Sequence, residues 1–86
     1  MYELTIKRQA LRGLQMMPPR DGQRIRHELK KMAENPDRRD MDIKTLQGRP
    51  GFRLRVGDMR NIFERDDQDR VIDVLRVAPR GQAYNR

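Results

Sequence analysis

Phe52-Arg53-Leu54-Arg55-Val56-Gly57-Asp58-Met59-Arg60-Asn61-Ile62-Phe63-Glu64 is the stretch that decides the fold. Phe52 to Val56 alternates strictly between apolar residues and arginine, the period of a half-buried strand. Gly57-Asp58 suits a two-residue hairpin turn, and Met59 to Glu64 is the return strand. With those two residues as the loop, Val56 pairs with Met59, Arg55 with Arg60, Leu54 with Asn61 and Phe52 with Phe63. One face then carries Phe52, Leu54, Val56, Met59 and Phe63 and belongs to a core. The other carries Arg53, Arg55 and Arg60, with Arg55 directly opposite Arg60. Like charges facing each other across strands are destabilising, so fold stability does not account for this cluster. Two readings stand for the hairpin alone. It is an anion-binding face, or a solvated face whose arginines splay apart onto Asp58, Glu64 or Asp73.

Outward from the hairpin, the periodicity changes twice. On the C-terminal side, Arg65 to Asp69 is a polar turn and Val71 to Val77 a β-branched run, giving a third strand of a meander. On the N-terminal side, Gln47 to Gly51 is turn material, Met41 to Leu46 a short strand, and Asp37 to Asp40 a charged loop. Before the loop the spacing is helical. Ile25, Leu29, Met32 and Ala33 form one apolar stripe, which Asp21 can cap at its start and Asn35-Pro36 ends. Ala10, Leu11, Leu14 and Met17 form another, stopped by Pro18-Pro19. Tyr2 to Ile6 alternates and predicts an opening strand. The expected architecture is a small single α+β domain over residues 1–86: an N-terminal strand, a helical hairpin, then an antiparallel β-meander.

Composition narrows the chemistry. The chain has 86 residues, of which 35% are hydrophobic, so its core is thin. No run approaches the roughly 20 apolar residues of a membrane span, and the N-terminus has no signal-peptide core, so a cytoplasmic protein is expected. Cysteine and serine are absent and His27 is the single histidine, which excludes thiol catalysis, serine triads and Cys/His zinc sites. Twenty Lys and Arg stand against 13 Asp and Glu, a net charge of +7. Sixteen of the twenty are arginine, whose planar fork matches phosphate. Such a balance in a small domain points to a polyanionic partner, and an arginine-favouring genome would give the same skew. His27 reads as a solvated residue of the second helix, and Met16, Met17, Met32 and Met41 as core or partner-contact residues. Asp66, Asp67 and Asp69 look like a metal cluster, but a turn beside many arginines is the better use.

Asn35-Pro36, Leu46-Gln47-Gly48, the hairpin from Phe52 to Glu64, Val74 to Arg80 and Tyr84 together resemble the RelE/ParE superfamily of bacterial toxins. The resemblance spans nearly the whole chain, and Arg55-Val56-Gly57-Asp58-Met59-Arg60 is its most specific part. It implies the order of elements that periodicity predicts. The superfamily hosts two activities on one fold. RelE-like members cleave messenger RNA in the ribosomal decoding site, and ParE-like members inhibit DNA gyrase. By position, Arg53 and Arg55 match the paired basic residues of the RelE-like strand, with arginine in place of the lysine of the best-known members. Arg60 matches the arginine of the next strand, Arg80 the one after the last strand, and Tyr84 the terminal tyrosine.

That resemblance implies a ribosome-dependent endoribonuclease in which Arg53 and Arg55 bind RNA phosphate and Arg60, Arg80 and Tyr84 are catalytic. It implies a cognate antitoxin, the ribosome and messenger RNA as partners, and no metal, small-molecule cofactor or membrane. Metal-free cleavage needs three things: the 2′-hydroxyl loses a proton, the phosphorane charge is stabilised, and the 5′-oxygen is protonated. Arginines supply the second. Tyr84 is a candidate base if guanidinium groups lower its pKa from about 10. Arg80 stabilises the leaving group, although an arginine is a weak proton donor. A gyrase inhibitor on the same fold and a non-catalytic nucleic-acid-binding module are the alternatives.

Overall fold

A computed structural model describes residues 1–79. The elements are β1 (Glu3–Ile6), α1 (Arg8–Gln15), α2 (Pro19–Glu34), β2 (Asp42–Thr45), β3 (Phe52–Val56), β4 (Met59–Asp66) and β5 (Val71–Pro79). They build the expected α+β domain, with both helices on one face of a five-stranded sheet ordered β1-β5-β4-β3-β2. β2 to β5 form the antiparallel meander. β1 instead joins parallel to β5, Glu3 opposite Val71 and Ile6 opposite Val74, so the sheet is mixed. The two helices carry the chain from β1 at one edge of the sheet to β2 at the other, and the meander then runs back until β5 lies beside β1.

The hairpin register is the one its turn predicts, from Phe52↔Phe63 to Val56↔Met59. Gly57 has φ 58°, and Asp58 does not share that positive φ. Glycine at the first of two turn positions is the type II′ solution, which matches the right-handed twist of the strands. Phe52 and Phe63 stack across the pair with centroids 5.4 Å apart, a geometry that adds about 0.5–1.5 kcal/mol beyond area burial. The core lies between this face and the helices. Leu54, Phe63, Ile72, Val74 and Val77 pack against Ala10 and Leu14 of α1 and against Ile25, Leu29, Met32 and Ala33 of α2.

Two local expectations need correction. Asp21 does not cap α2: the cap position is Pro18, no side chain bonds there, and Pro19 opens the helix. Proline costs nothing at that position, because its missing N–H has no partner in a first turn anyway. Asp21 sits inside that first turn, where its charge favours the helix dipole. The core-face inventory of the hairpin also omits Asn61, which alternation places there and which is fully buried. Its Nδ2 donates to the Leu54 carbonyl at 3.0 Å, across the strand pair.

α1 lies against β5 through Gly13. A Cβ at that position would stand 2.3 Å from the Val77 carbonyl oxygen, so only glycine allows this approach. At the opposite end, Arg65 ties three segments together. It donates to Asp67 (2.7 Å), Asp37 (3.0 Å) and the Tyr2 hydroxyl (3.3 Å), and lies over the Tyr2 ring. Burial works against the Arg65 charge, but these bonds outweigh it and raise its pKa. Asp67, which accepts from both Arg65 and Tyr2, is correspondingly held below the ordinary carboxylate value.

Candidate functional site

The sheet face opposite the helices carries the basic residues in two rows. Alternation and register place Asp42, Arg55, Arg60 and Ala78 in one row across β2, β3, β4 and β5. The next row runs Lys44, Arg53, Ile62 and Arg76. Arg53, Arg55 and Arg60 therefore share one face, as the hairpin predicts, and Arg55 stands directly opposite Arg60. Neighbouring strands are about 4.8 Å apart, so the two rows form a cationic patch only some 15 Å wide.

The three arginines differ in environment. Arg55 is exposed. Arg60 is half-buried. Arg53 is only 13% exposed, and its Nη1 donates to Asp42 at 3.2 Å. Among the described residues the carboxylate that meets Arg53 is thus Asp42 on β2, not the Asp58, Glu64 or Asp73 of the solvated-face reading. Asp42 is cross-strand from Arg55 as well, so one negative charge relieves part of the repulsion among the guanidinium groups. The face is not polar throughout: Leu46, Ile62 and Ala78 form a second small apolar cluster on it.

Arg80 and Tyr84 lie outside the described residues. Asp66 ends β4 and accepts the Asp69 N–H at 3.0 Å, and Asp67, in the turn to β5, holds Arg65 and Tyr2. Among the described residues no group of His, Asp and Glu is arranged to hold a metal ion. His27 is exposed on α2, Met32 is core, and Met16 is 82% exposed. No described helix is long and apolar enough to cross a membrane. Sequence reasoning missed Asp42, Lys44 and Arg76. The first two follow from pairing β2 onto β3, which alternation alone does not specify. Strict alternation from Val74 turns Arg76 inward, and the break shows only in the fold, where Ile72, Val74, Val77 and Ala78 are the buried residues of β5.

No protein-family model matches the chain, and no curated protein matches it in sequence. Solved structures do. The archaeal RelE–RelB complex from Pyrococcus horikoshii aligns at 29% identity over 94% of this chain and 97% of that one, with a TM-score of 0.79. The toxin–antitoxin complex RelBE2 from Mycobacterium tuberculosis aligns at 27% identity over 92% and 98%, with a TM-score of 0.80. The isolated Escherichia coli RelE toxin aligns at 19% identity over 98% and 92%, with a TM-score of 0.74, a likeness of fold.

Proposed function

We propose, for a chain that has the RelE fold, that it is the toxin of a type II toxin–antitoxin system and acts as a ribosome-dependent endoribonuclease on messenger RNA. The likeness to RelE–RelB and RelBE2 complexes supports the toxin assignment and a cognate antitoxin as partner. The observation that carries the nuclease reading is the gathering of Arg53, Arg55 and Arg60 on the helix-free face, in the register that sets Arg55 against Arg60.

Each residue has a distinct task in this reading. Arg55, exposed, and Arg53, steered by Asp42, take the phosphates that flank the scissile bond. Arg60 stands one strand further on and neutralises the charge that grows on the phosphorane oxygens. Tyr84 removes the 2′-hydroxyl proton, and Arg80 stabilises the departing 5′-oxygen. The attacking 2′-oxygen bonds to phosphorus as the 5′-oxygen leaves and takes a proton from solvent water, so the strand ends in a 2′,3′-cyclic phosphate and a 5′-hydroxyl. Guanidinium groups are poor proton carriers, so the chain depends on a host to orient the RNA for in-line attack. The ribosomal decoding site provides that orientation. The antitoxin then acts by covering a face that is both basic and partly apolar.

Induced expression without antitoxin should arrest growth, and primer extension on translated messenger with purified ribosomes should show new 5′ ends. Growth arrest without cleavage, together with loss of gyrase supercoiling, would transfer the chain to the gyrase-inhibiting class. Normal growth with soluble protein present would refute the toxin assignment.

A further inference from the structure

β5 brings one more cation to the basic face, by a device that alternation does not foresee. Phe63 stands opposite Val74 and Ile62 opposite Arg76, so Leu75 is an extra residue and β5 carries a β-bulge there. Unbroken alternation from Val74, which is core, would turn Arg76 inward and Val77 outward. With the bulge, Val77 is 4% exposed in the main core, and Ala78 joins Ile62 on the outer face. The register opposite Ile62 places Arg76 on that outer face, half-buried, where it also borders the groove between α1 and the end of β5. The alternative would bury an unpaired guanidinium at a cost of several kcal/mol and expose a valine whose burial is worth about 1.5–3 kcal/mol.

The need to keep an arginine out of the core explains the bulge but not the choice of arginine. A threonine or valine would serve the outer face of a sheet at least as well. Arg76 shares its row with Arg53 and sits diagonally beside Arg60, whose own cross-strand partner is Ala78. Among the described residues it makes no salt bridge and no side-chain hydrogen bond. Its β-carbon stands about 10 Å from that of Arg53, two strands away. Four guanidinium groups thus cross three strands, with Ile62 and Ala78 between them.

We propose that Arg76 is a phosphate-binding residue of this face, extending the anion track from β3 across β4 onto β5. It holds the RNA backbone one phosphate beyond the group faced by Arg60. This rests on the RNA reading given above, and the test separates the two. A fluorescein-labelled single-stranded RNA 12-mer is titrated with the full chain between about 50 and 200 mM salt. Each phosphate contact contributes about 0.7 to the slope of log K against log salt for a single strand. Arg76→Gln should lower the slope by about 0.7, Arg60→Gln likewise, and Arg76→Lys should restore it. Arg20→Gln, on the exposed start of α2, removes the same charge and should leave the slope unchanged.

If Arg60→Gln loses slope while Arg76→Gln matches Arg20→Gln, Arg76 is not a phosphate contact and the inference falls, with the RNA reading left standing. If the parent shows no salt-dependent binding, the RNA reading falls and takes the assignment of Arg76 with it. Should Arg76→Gln melt well below the parent, Arg76→Met keeps the stem without the charge, and its slope is read in the same way.

Discussion

Replacing Gly13 by alanine sets two physical effects of opposite sign against each other. Gly13 lies inside α1, where alanine is favoured by about 1 kcal/mol, so helix propensity alone expects a more stable protein. The packing expects the reverse. An ideal Cβ falls 2.3 Å from the Val77 carbonyl oxygen, 3.3 Å from its carbon and 3.5 Å from the Val77 Cβ. Carbon and oxygen need about 3.3 Å, so α1 has to retreat from β5 by about 1 Å. The obstacle is backbone in a paired strand and cannot rotate aside. A gap of that size forfeits a quarter to a half of the dispersion energy of each contact it opens. Ala10 and Leu14, both buried under α1, are the residues that lose it. Overpacking of this kind costs about 1–3 kcal/mol. With the propensity gain subtracted and the rigid obstacle weighed, Gly13→Ala should destabilise by about 1–2 kcal/mol. At about 4–8 °C per kcal/mol for a domain this small, Tm should drop by about 5–15 °C. Gly22→Ala is the control. Its Cβ meets the Leu14 carbonyl oxygen at 3.2 Å and the flexible Met17 Cγ at 3.8 Å, so propensity and squeeze nearly cancel and Tm should hardly move. Thermal melts by circular dichroism decide the matter. A Gly13→Ala protein that melts at or above the parent would show that α1 does not sit on β5 as described.

Four further outcomes are expected. Arg60→Ala, Arg80→Ala and Tyr84→Phe should each reduce ribosome-dependent cleavage by about 10²–10³, the usual loss for one preorganised group, with melting little changed; cleavage at the parental rate in all three would remove the chemistry from this face. Asp42→Asn releases Arg53 and should tighten RNA binding by about two- to fivefold, the worth of an exposed ion pair, and weaker binding would mean that Asp42 positions Arg53 rather than competing for it. Asp67 has a folded-state pKa below its unfolded value, so its stabilising contribution is present above about pH 4 and is lost as pH falls through the folded value; the Tm of Asp67→Asn should lie below the parent near neutrality and converge on it in acid, and parallel Tm–pH curves would refute this. Asn61→Asp places a carboxylate in a fully buried site facing the Leu54 carbonyl and should destabilise by about 3 kcal/mol or more at pH 7; because the protonated acid can donate to that carbonyl, stability should recover as pH is lowered, and a pH-independent loss would count against the Asn61–Leu54 bond.

Much of this protein is written locally. Alternation between Phe52 and Val56, a turn with glycine at its first position, and two apolar stripes at helical spacing each depend on residues a few positions apart. The hairpin register and the arginine face follow from them without knowledge of the rest of the chain. The turn fixes which residues pair, and a period of two fixes which side each one takes. The charge of +7 and the arginine excess point to a polyanion by the same direct route. Other features depend on distant residues, and only the tertiary structure decided them. β1 lies parallel to β5 because the helices carry the chain to the far edge of the sheet and the meander returns β5 to its side, and nothing within Glu3–Ile6 states a partner. Asp42 meets Arg53 because β2 pairs on β3, across a loop whose length leaves the register open. The bulge at Leu75 exists because Val77 must reach the core under Gly13 while Arg76 must not. That balance of burial against charge is struck between β5, β4 and α1 together, so strict alternation along β5 misassigns both residues.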